Sequence, residues 1–247
     1  MITNIHSDRF IVVSDMHLGN PFFEQKKELL NFLRWAAKEG YDIVINGDGL
    51  EIAQVSFRRL AEDVPDFLRV LAQLHSKNSD IRIWYVVGNH DMLMENFLHD
   101  WGAFQVCPFL NLQSGDLRIR VEHGHLYDPF FVRTPRLYEV ATFLGGLLLR
   151  FAPNLYNFWV AFEKWRGRIR AKRFRSLING EPPAFGRAAN ELARRGFDAV
   201  VFGHTHHAGE AELETGGRYI NSGSWMLGRT FVEVKEGGIR LLRWKTG

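Results

Sequence analysis

Five short polar motifs are spread along the 247-residue chain: Asp15-Met16-His17, Gly47-Asp48, Gly88-Asn89-His90-Asp91, His123-Gly124-His125 and Gly203-His204-Thr205-His206. Between them they offer two carboxylates (Asp15, Asp48), one amide (Asn89) and four imidazoles (His17, His123, His204, His206). These are oxygen and nitrogen donors without thiolate, a set that suits manganese, iron, zinc or a similar divalent ion. Seven donors exceed what one ion uses, so a pair of ions sharing one carboxylate is the economical arrangement. Taken singly, each motif has an ordinary reading: Asp15 as a helix cap, Gly47-Asp48 as a turn. Their joint placement at strand ends argues against coincidence.

The elements that must position these residues are legible as an alternation. Phe10-Ile11-Val12-Val13 reads as a buried strand ending at Ser14-Asp15, and Asp42-Ile43-Val44-Ile45 as a second ending at Asn46-Gly47-Asp48. Residues 81–87 form a third before Gly88. Between them Leu29, Leu33, Trp35, Ala36 and Ala37, then Val64, Phe67, Leu68, Leu71 and Leu74, recur at helical spacing. Further strands are expected at 117–122, running into His123, and at Ala199-Val200-Val201-Phe202, running into Gly203. Segments near Tyr219, Phe231 and Ile239 read as antiparallel strands between Gly-rich turns. The alternation predicts an α/β sandwich with a mostly parallel sheet whose strand ends gather at one edge, where ligands of such sheets bind.

Residues 129–180 break the pattern. Thr134-Pro135 predicts a helix start, with the hydroxyl as cap and proline at the first helical position. A second helix is expected from about Asn154, carrying Leu155, Phe158, Trp159, Phe162, Trp165 and Ile169 on one face. The segment holds ten basic residues against Glu139 and Glu163, while the whole chain has a net charge of only +3. Such asymmetry points to an acidic partner, either nucleic acid or an anionic membrane surface. The segment reads as a helical cap inserted into a single domain spanning 1–247.

Composition narrows the class. Hydrophobic residues at 46% with 24% charged are ordinary for a globular chain. Cys107 has no intramolecular partner and its Val-Cys-Pro setting suggests core over nucleophile, so a reducing cytoplasm is expected. No apolar run is long enough to span a bilayer, and the N-terminus shows no basic segment leading into an apolar stretch. His6, His75, His99 and His207 are expected at the surface or in outer positions around the site.

The motif order closely resembles the calcineurin-like metallophosphoesterase superfamily. The resemblance spans Asp15 to His206 and implies a four-layer α-β-β-α sandwich with a two-metal centre. It would place Asp15, His17, Asp48 and His206 on one ion, and Asp48, Asn89, His123 and His204 on the other, with Asp48 bridging. His90 matches the family's catalytic histidine, with Asp91 orienting its ring. Two such cations would acidify a shared water for attack on phosphorus, and a protonated His90 would stabilise the developing charge or protonate the leaving oxygen.

The cap is similar to that of the UDP-2,3-diacylglucosamine pyrophosphatase branch, peripheral inner-membrane enzymes that release UMP and a lipid 1-phosphate, typically with manganese. That resemblance implies two divalent ions, manganese first, with iron, zinc or a mixed pair as alternatives. It also implies a lipid-linked nucleotide substrate and contact with the inner-membrane surface through the cap, with neither nucleic acid nor a protein partner. Phe158, Trp159, Phe162, Arg166, Arg170, Lys172 and Arg173 are the candidate substrate contacts. The better-known members of the branch differ: they carry Arg at His90 and Asp at His125, and more acidic residues after the second motif. A soluble phosphodiesterase or phosphatase acting on nucleotides or phosphoproteins is the alternative. A non-catalytic scaffold and a nucleic-acid processor rank below it.

Overall fold

The computed structural model describes residues 4–77, 80–97, 99–100, 102–152 and 176–245, and between 153 and 175 the residues 154, 155, 158, 161, 162, 165 and 169. The first half runs β1 (Asn4–His6), β2 (Arg9–Val13), α1 (Lys26–Lys38), β3 (Asp42–Asn46), α2 (Phe57–Lys77), β4 (Ile83–Val86), β5 (His99–Asp100), β6 (Gln105–Cys107), β7 (Leu110–Ser114) and β8 (Leu117–Val121). Then come α3 (Pro129–Arg133), α4 (Pro135–Phe151), α5 (Pro183–Arg194), β9 (Ala199–Phe202), β10 (Gly209–Glu212), β11 (Arg218–Asn221), α6 (Trp225–Gly228), β12 (Thr230–Lys235) and β13 (Gly238–Arg243).

Two sheets form, as the family resemblance implied, where the strand alternation alone suggested one. A seven-stranded sheet has the order β13-β12-β2-β3-β4-β6-β5, and a six-stranded sheet the order β1-β7-β8-β9-β11-β10. The period-two alternation of side chains explains the layering. On β2, Phe10 and Val12 enter the core between the sheets, while Ile11 and Val13 face the helical side with Phe32 and Phe67. On β9, Ala199 and Val201 face the inter-sheet core, and Val200 and Phe202 pack with Phe185 of α5. Strands buried on both faces read as continuous apolar runs, which is why they were visible in the sequence. The result is a four-layer α-β-β-α sandwich. Of the C-terminal strands predicted to be antiparallel, β12 and β13 pair that way. The strand at Tyr219 departs from that expectation on one edge: β11 is antiparallel to β10 but parallel to β9.

Between β8 and α5 the chain turns helical. Asp128 accepts from the Phe130 backbone N–H at 2.9 Å and caps α3, a helix the sequence pattern did not suggest. Thr134 makes no capping bond to α4. Its hydroxyl instead donates to the Phe130 carbonyl at 2.8 Å, which also accepts the Thr134 backbone N–H at 3.2 Å where α3 ends. Pro135 opens α4 as expected. The described residues between 153 and 169 are helical, and Leu155, Phe158, Phe162, Trp165 and Ile169 are exposed. Among the described residues no helix is long and apolar enough to cross a membrane.

Candidate metal centre

All five motifs follow carboxyl ends of strands, and both sheets contribute. Asp15 follows β2, Asp48 follows β3 and Asn89 follows β4 in one sheet; His123 follows β8 and His204 follows β9 in the other. The expectation that one sheet edge would gather them is therefore corrected: the shared inter-sheet core brings two edges side by side. Asp15, His17, Asp48, His204 and His206 all adopt left-handed backbone with φ between 51° and 65°. That region is costly for non-glycine residues, so five instances in one site mark a constraint the rest of the fold enforces. Gly47 and Gly88 allow the loops to meet. A Cβ on Gly47 would overlap the His123 ring, and one on Gly88 would overlap Asp48.

Three groups of donors converge, each with ligand atoms within 4.8 Å of one another: Asp15, His17 and His206; Asp48, His123 and His204; and His17, Asp48 and His90, which shares a member with each of the others. In the first, Nε2 of His206 lies 3.0 Å from Asp15 Oδ1 and 3.2 Å from His17 Nε2. In the second, Asn89 Oδ1 lies 2.7 Å from His204 Nδ1 and 3.2 Å from His123 Nε2, which is 3.3 Å from Asp48 Oδ2. Asp48 Oδ1 is occupied by the backbone N–H of His90 at 2.8 Å, so Oδ2 is the oxygen turned to the centre.

The far side of three rings fixes their tautomer. Nδ1–H of His17 donates to Glu51 Oε2 at 2.8 Å, Nδ1–H of His123 to the Asn46 carbonyl at 2.8 Å, and Nε2–H of His204 to Asp128 Oδ2 at 3.0 Å. In its neutral form each ring then turns a lone pair inward. Those lone pairs face the Asn89 and Asp48 oxygens and the neighbouring rings, and the buried Asp15 Oδ1 has no hydrogen-bond donor among the described residues. Acceptors facing acceptors at such distances repel unless a cation lies between them, so the donor set fits divalent metal. Burial opposes charge on both Asp48 and His123, yet a proton on His123 pairs with the carboxylate, raising the ring to about 9 and, with protonated His90 and His17, holding the Asp48 carboxyl well below the usual range.

His90 stands beside the first group, with its ring 4.9 Å from that of His17. Asp91 does not orient it. The Asp91 carboxylate accepts from the Gly88 N–H at 2.6 Å, from the Gly49 N–H at 2.9 Å and from the Tyr85 hydroxyl, so it braces the loop. Neighbours in sequence here point to opposite sides of the turn. The ring of His90 is held instead by Glu51 through Nδ1. Burial disfavours a charged His90, but Glu51 and Asp48 outweigh it and raise the pKa to about 10.

Sequence reasoning missed Glu51, Asp128 and Tyr138. Tyr138 of α4 accepts from Asn89 Nδ2 at 2.5 Å. The clue for Glu51 was a carboxylate three positions beyond Asp48 in the same loop; nothing local marked the other two. His125 is buried, lies outside the donor groups and packs on Phe131 at 5.2 Å between ring centroids. Burial, with His123 and His204 nearby, lowers its pKa to about 3 and leaves it neutral. Burial raises the Cys107 thiol to about 12, which agrees with a packing role. Of the candidate substrate contacts, Phe158 and Phe162 are exposed; Trp159, Arg166, Arg170, Lys172 and Arg173 lie outside the described residues.

The sequence profile of the calcineurin-like phosphoesterase family matches residues 8–208. A protein of Stenotrophomonas maltophilia (strain K279a), named UDP-2,3-diacylglucosamine hydrolase, is 25% identical, with 92% of this chain and 95% of that protein covered. Among solved structures, a dimetal phosphatase from Danio rerio superposes with a TM-score of 0.50 at 10% identity, covering 94% of each chain. A hypothetical protein of Pyrococcus horikoshii OT3 gives 0.51 at 10% identity, over 95% of this chain and 87% of the other.

Proposed function

Because this chain belongs to the calcineurin-like phosphoesterase family and is a metal-dependent phosphoester hydrolase, we propose that its substrate is UDP-2,3-diacylglucosamine or a similar lipid-linked nucleotide. Cleavage of the diphosphate would give UMP and a lipid 1-phosphate. In this reading Asp15, His17, Asp48 and His206 hold one divalent ion, and Asp48, Asn89, His123 and His204 hold a second, manganese being the first choice. When bound, the pair supplies a nucleophile at neutral pH and neutralises phosphoryl oxygens for in-line displacement. His90 carries the proton: with Nδ1 committed to Glu51, its other ring nitrogen is left to donate to the departing phosphate oxygen.

The observation that carries the substrate class is the helix beside the centre. Tyr138 reaches the donor Asn89, and from there α4 presents Val140, Phe143, Leu144, Leu147 and Phe151 exposed along its length. A substrate with phosphates at the centre would lay its acyl chains along this surface and past Phe158 and Phe162, because an apolar row of this extent seldom faces water alone. Residues 129–180 act as a cap in this account, with Arg166, Arg170, Lys172 and Arg173 meeting phosphates or anionic headgroups and Trp159 extending the apolar face. The chain would work at the cytoplasmic face of the inner membrane as a peripheral enzyme. The name of the Stenotrophomonas maltophilia relative supports the same substrate.

The test is incubation with UDP-2,3-diacylglucosamine and Mn²⁺ in mild detergent, followed by mass spectrometry. Metal-dependent appearance of UMP together with the lipid phosphate supports the proposal. Hydrolysis of a simple soluble phosphodiester without turnover of the lipid nucleotide removes the substrate and keeps the hydrolase.

A further inference from the structure

Among the described residues, Asn89 and His204 are the two donors whose outer sides are held by the helical insertion. Asp128, the residue that caps α3, accepts from His204 Nε2 at 3.0 Å, and Tyr138 of α4 accepts from Asn89 Nδ2 at 2.5 Å. The inner atoms of the same side chains, His204 Nδ1 and Asn89 Oδ1, lie 2.7 Å apart and face one another. The other donors of the second group are anchored by the sandwich: His123 through the Asn46 carbonyl and Asp48 through the backbone of His90. The first group is anchored through Glu51 and the backbone of His204. Among the described residues, contact between the insertion and the donor set thus falls on one ion's ligands.

We propose that Asp128 and Tyr138 are positioning residues that couple the seating of α3 and α4 to the affinity of the second ion alone. The inference rests on the assignment of Asn89, His123, His204 and Asp48 to that ion. An amide and an imidazole turn freely about their side-chain torsions unless the outer atom is held, and a carboxylate on the outer nitrogen also strengthens the inner lone pair. When α3 and α4 are seated, both side chains are aimed inward; when they lift, two of the four donors lose their aim. Coupling of this kind is reciprocal: whatever factor the seated helices add to ion affinity, the ion returns as resistance of the helices to opening.

The experiment uses the full-length protein, titrated calorimetrically with Mn²⁺, alongside Asp128→Asn, Tyr138→Phe and the double variant. Asn remains a good helix cap, so Asp128→Asn keeps α3 capped while removing the charge on His204. Tyr138→Phe removes only the hydroxyl. Two ions are expected to bind wild type. Affinity for one of them should fall about 10- to 100-fold in the double variant while the other is unchanged. The second readout is limited tryptic cleavage after Arg133 and Arg136, which lie between the two contacts. Saturating Mn²⁺ should slow this cleavage in wild type and lose that effect in the double variant. Leu137→Ala, at an exposed neighbour of Tyr138, should leave both readouts at wild-type values. Two ions bound by the double variant with wild-type affinities, or equal protection of Arg133 and Arg136, would overturn the coupling while the two-ion assignment stands. Fewer than two ions in wild type would remove that assignment and the coupling with it.

Discussion

Glu51 Oε1 accepts a hydrogen bond from Nδ1 of His90, and Oε2 of the same carboxylate accepts from Nδ1 of His17 at 2.8 Å. One buried acid thereby fixes a proposed metal ligand and the proposed proton donor beside it. Burial opposes its charge, but His90 and His17 outweigh it and hold the Glu51 pKa at about 2.

Replacing that acid therefore has a signed consequence. In Glu51→Gln the amide oxygen can accept from one ring only, and the NH₂ faces the other. We expect kcat/KM to fall about 10- to 100-fold, as for other outer partners of metal-binding histidines. The alkaline limb of the pH profile should also move to lower pH, since His90 loses the carboxylate that stabilises its proton. Profiles of kcat/KM from acid to alkaline pH decide it; a limb that stays in place would remove Glu51 from the proton-transfer apparatus.

The exposed apolar surface should matter for lipid and not for soluble substrate. Phe143 and Phe158 are 66% and 72% exposed. Substituting either with Glu should leave the melting temperature and the hydrolysis of a soluble phosphodiester close to wild type. KM for the lipid nucleotide should rise about tenfold or more, the equivalent of one apolar side chain's burial. Equal losses on both substrates would argue that these residues serve the fold.

Glu181 predicts a pH dependence of stability. It is buried with Thr205, Tyr219 and Asn221 donating to it at 2.9, 2.9 and 2.7 Å. Burial outweighs those donors and raises its pKa from 4.5 to about 7. Between those values the folded state holds a proton that the unfolded chain has released, so stability falls as pH rises, by about 3 kcal/mol in all. Glu181→Gln cannot ionise. Its melting temperature relative to wild type should therefore increase from about pH 5 to about pH 8, as read by calorimetry; a constant difference would contradict the shift.

Much of the site was legible in sequence because its donors sit in motifs directly after strands such as β2, β3 and β9, whose apolar runs are plain. The division into two sheets came from the family resemblance and not from the strand pattern itself, since it depends on the pairing of β8 with β9 and of β2 with β12 across long stretches of chain. Asp91 was assigned to His90 by adjacency, whereas the turn after β4 sends the two side chains apart and lets Glu51 approach from another loop. Asp128 and Tyr138 were invisible for the same reason. Their partners are 76 and 49 positions away, and only the packing of α3 and α4 against the strand ends brings them together.

The central claim is a pair of divalent ions bridged by Asp48, and electron paramagnetic resonance of the Mn²⁺-loaded protein with parallel metal analysis tests it most directly. The account predicts two ions per chain with an exchange-coupled spectrum. In Asp48→Asn it predicts loss of the coupling, no more than one tightly held ion, and a fall in kcat of about 10³-fold or more with the fold retained. A single ion in the wild-type protein, or a coupled pair that survives Asp48→Asn, would contradict it.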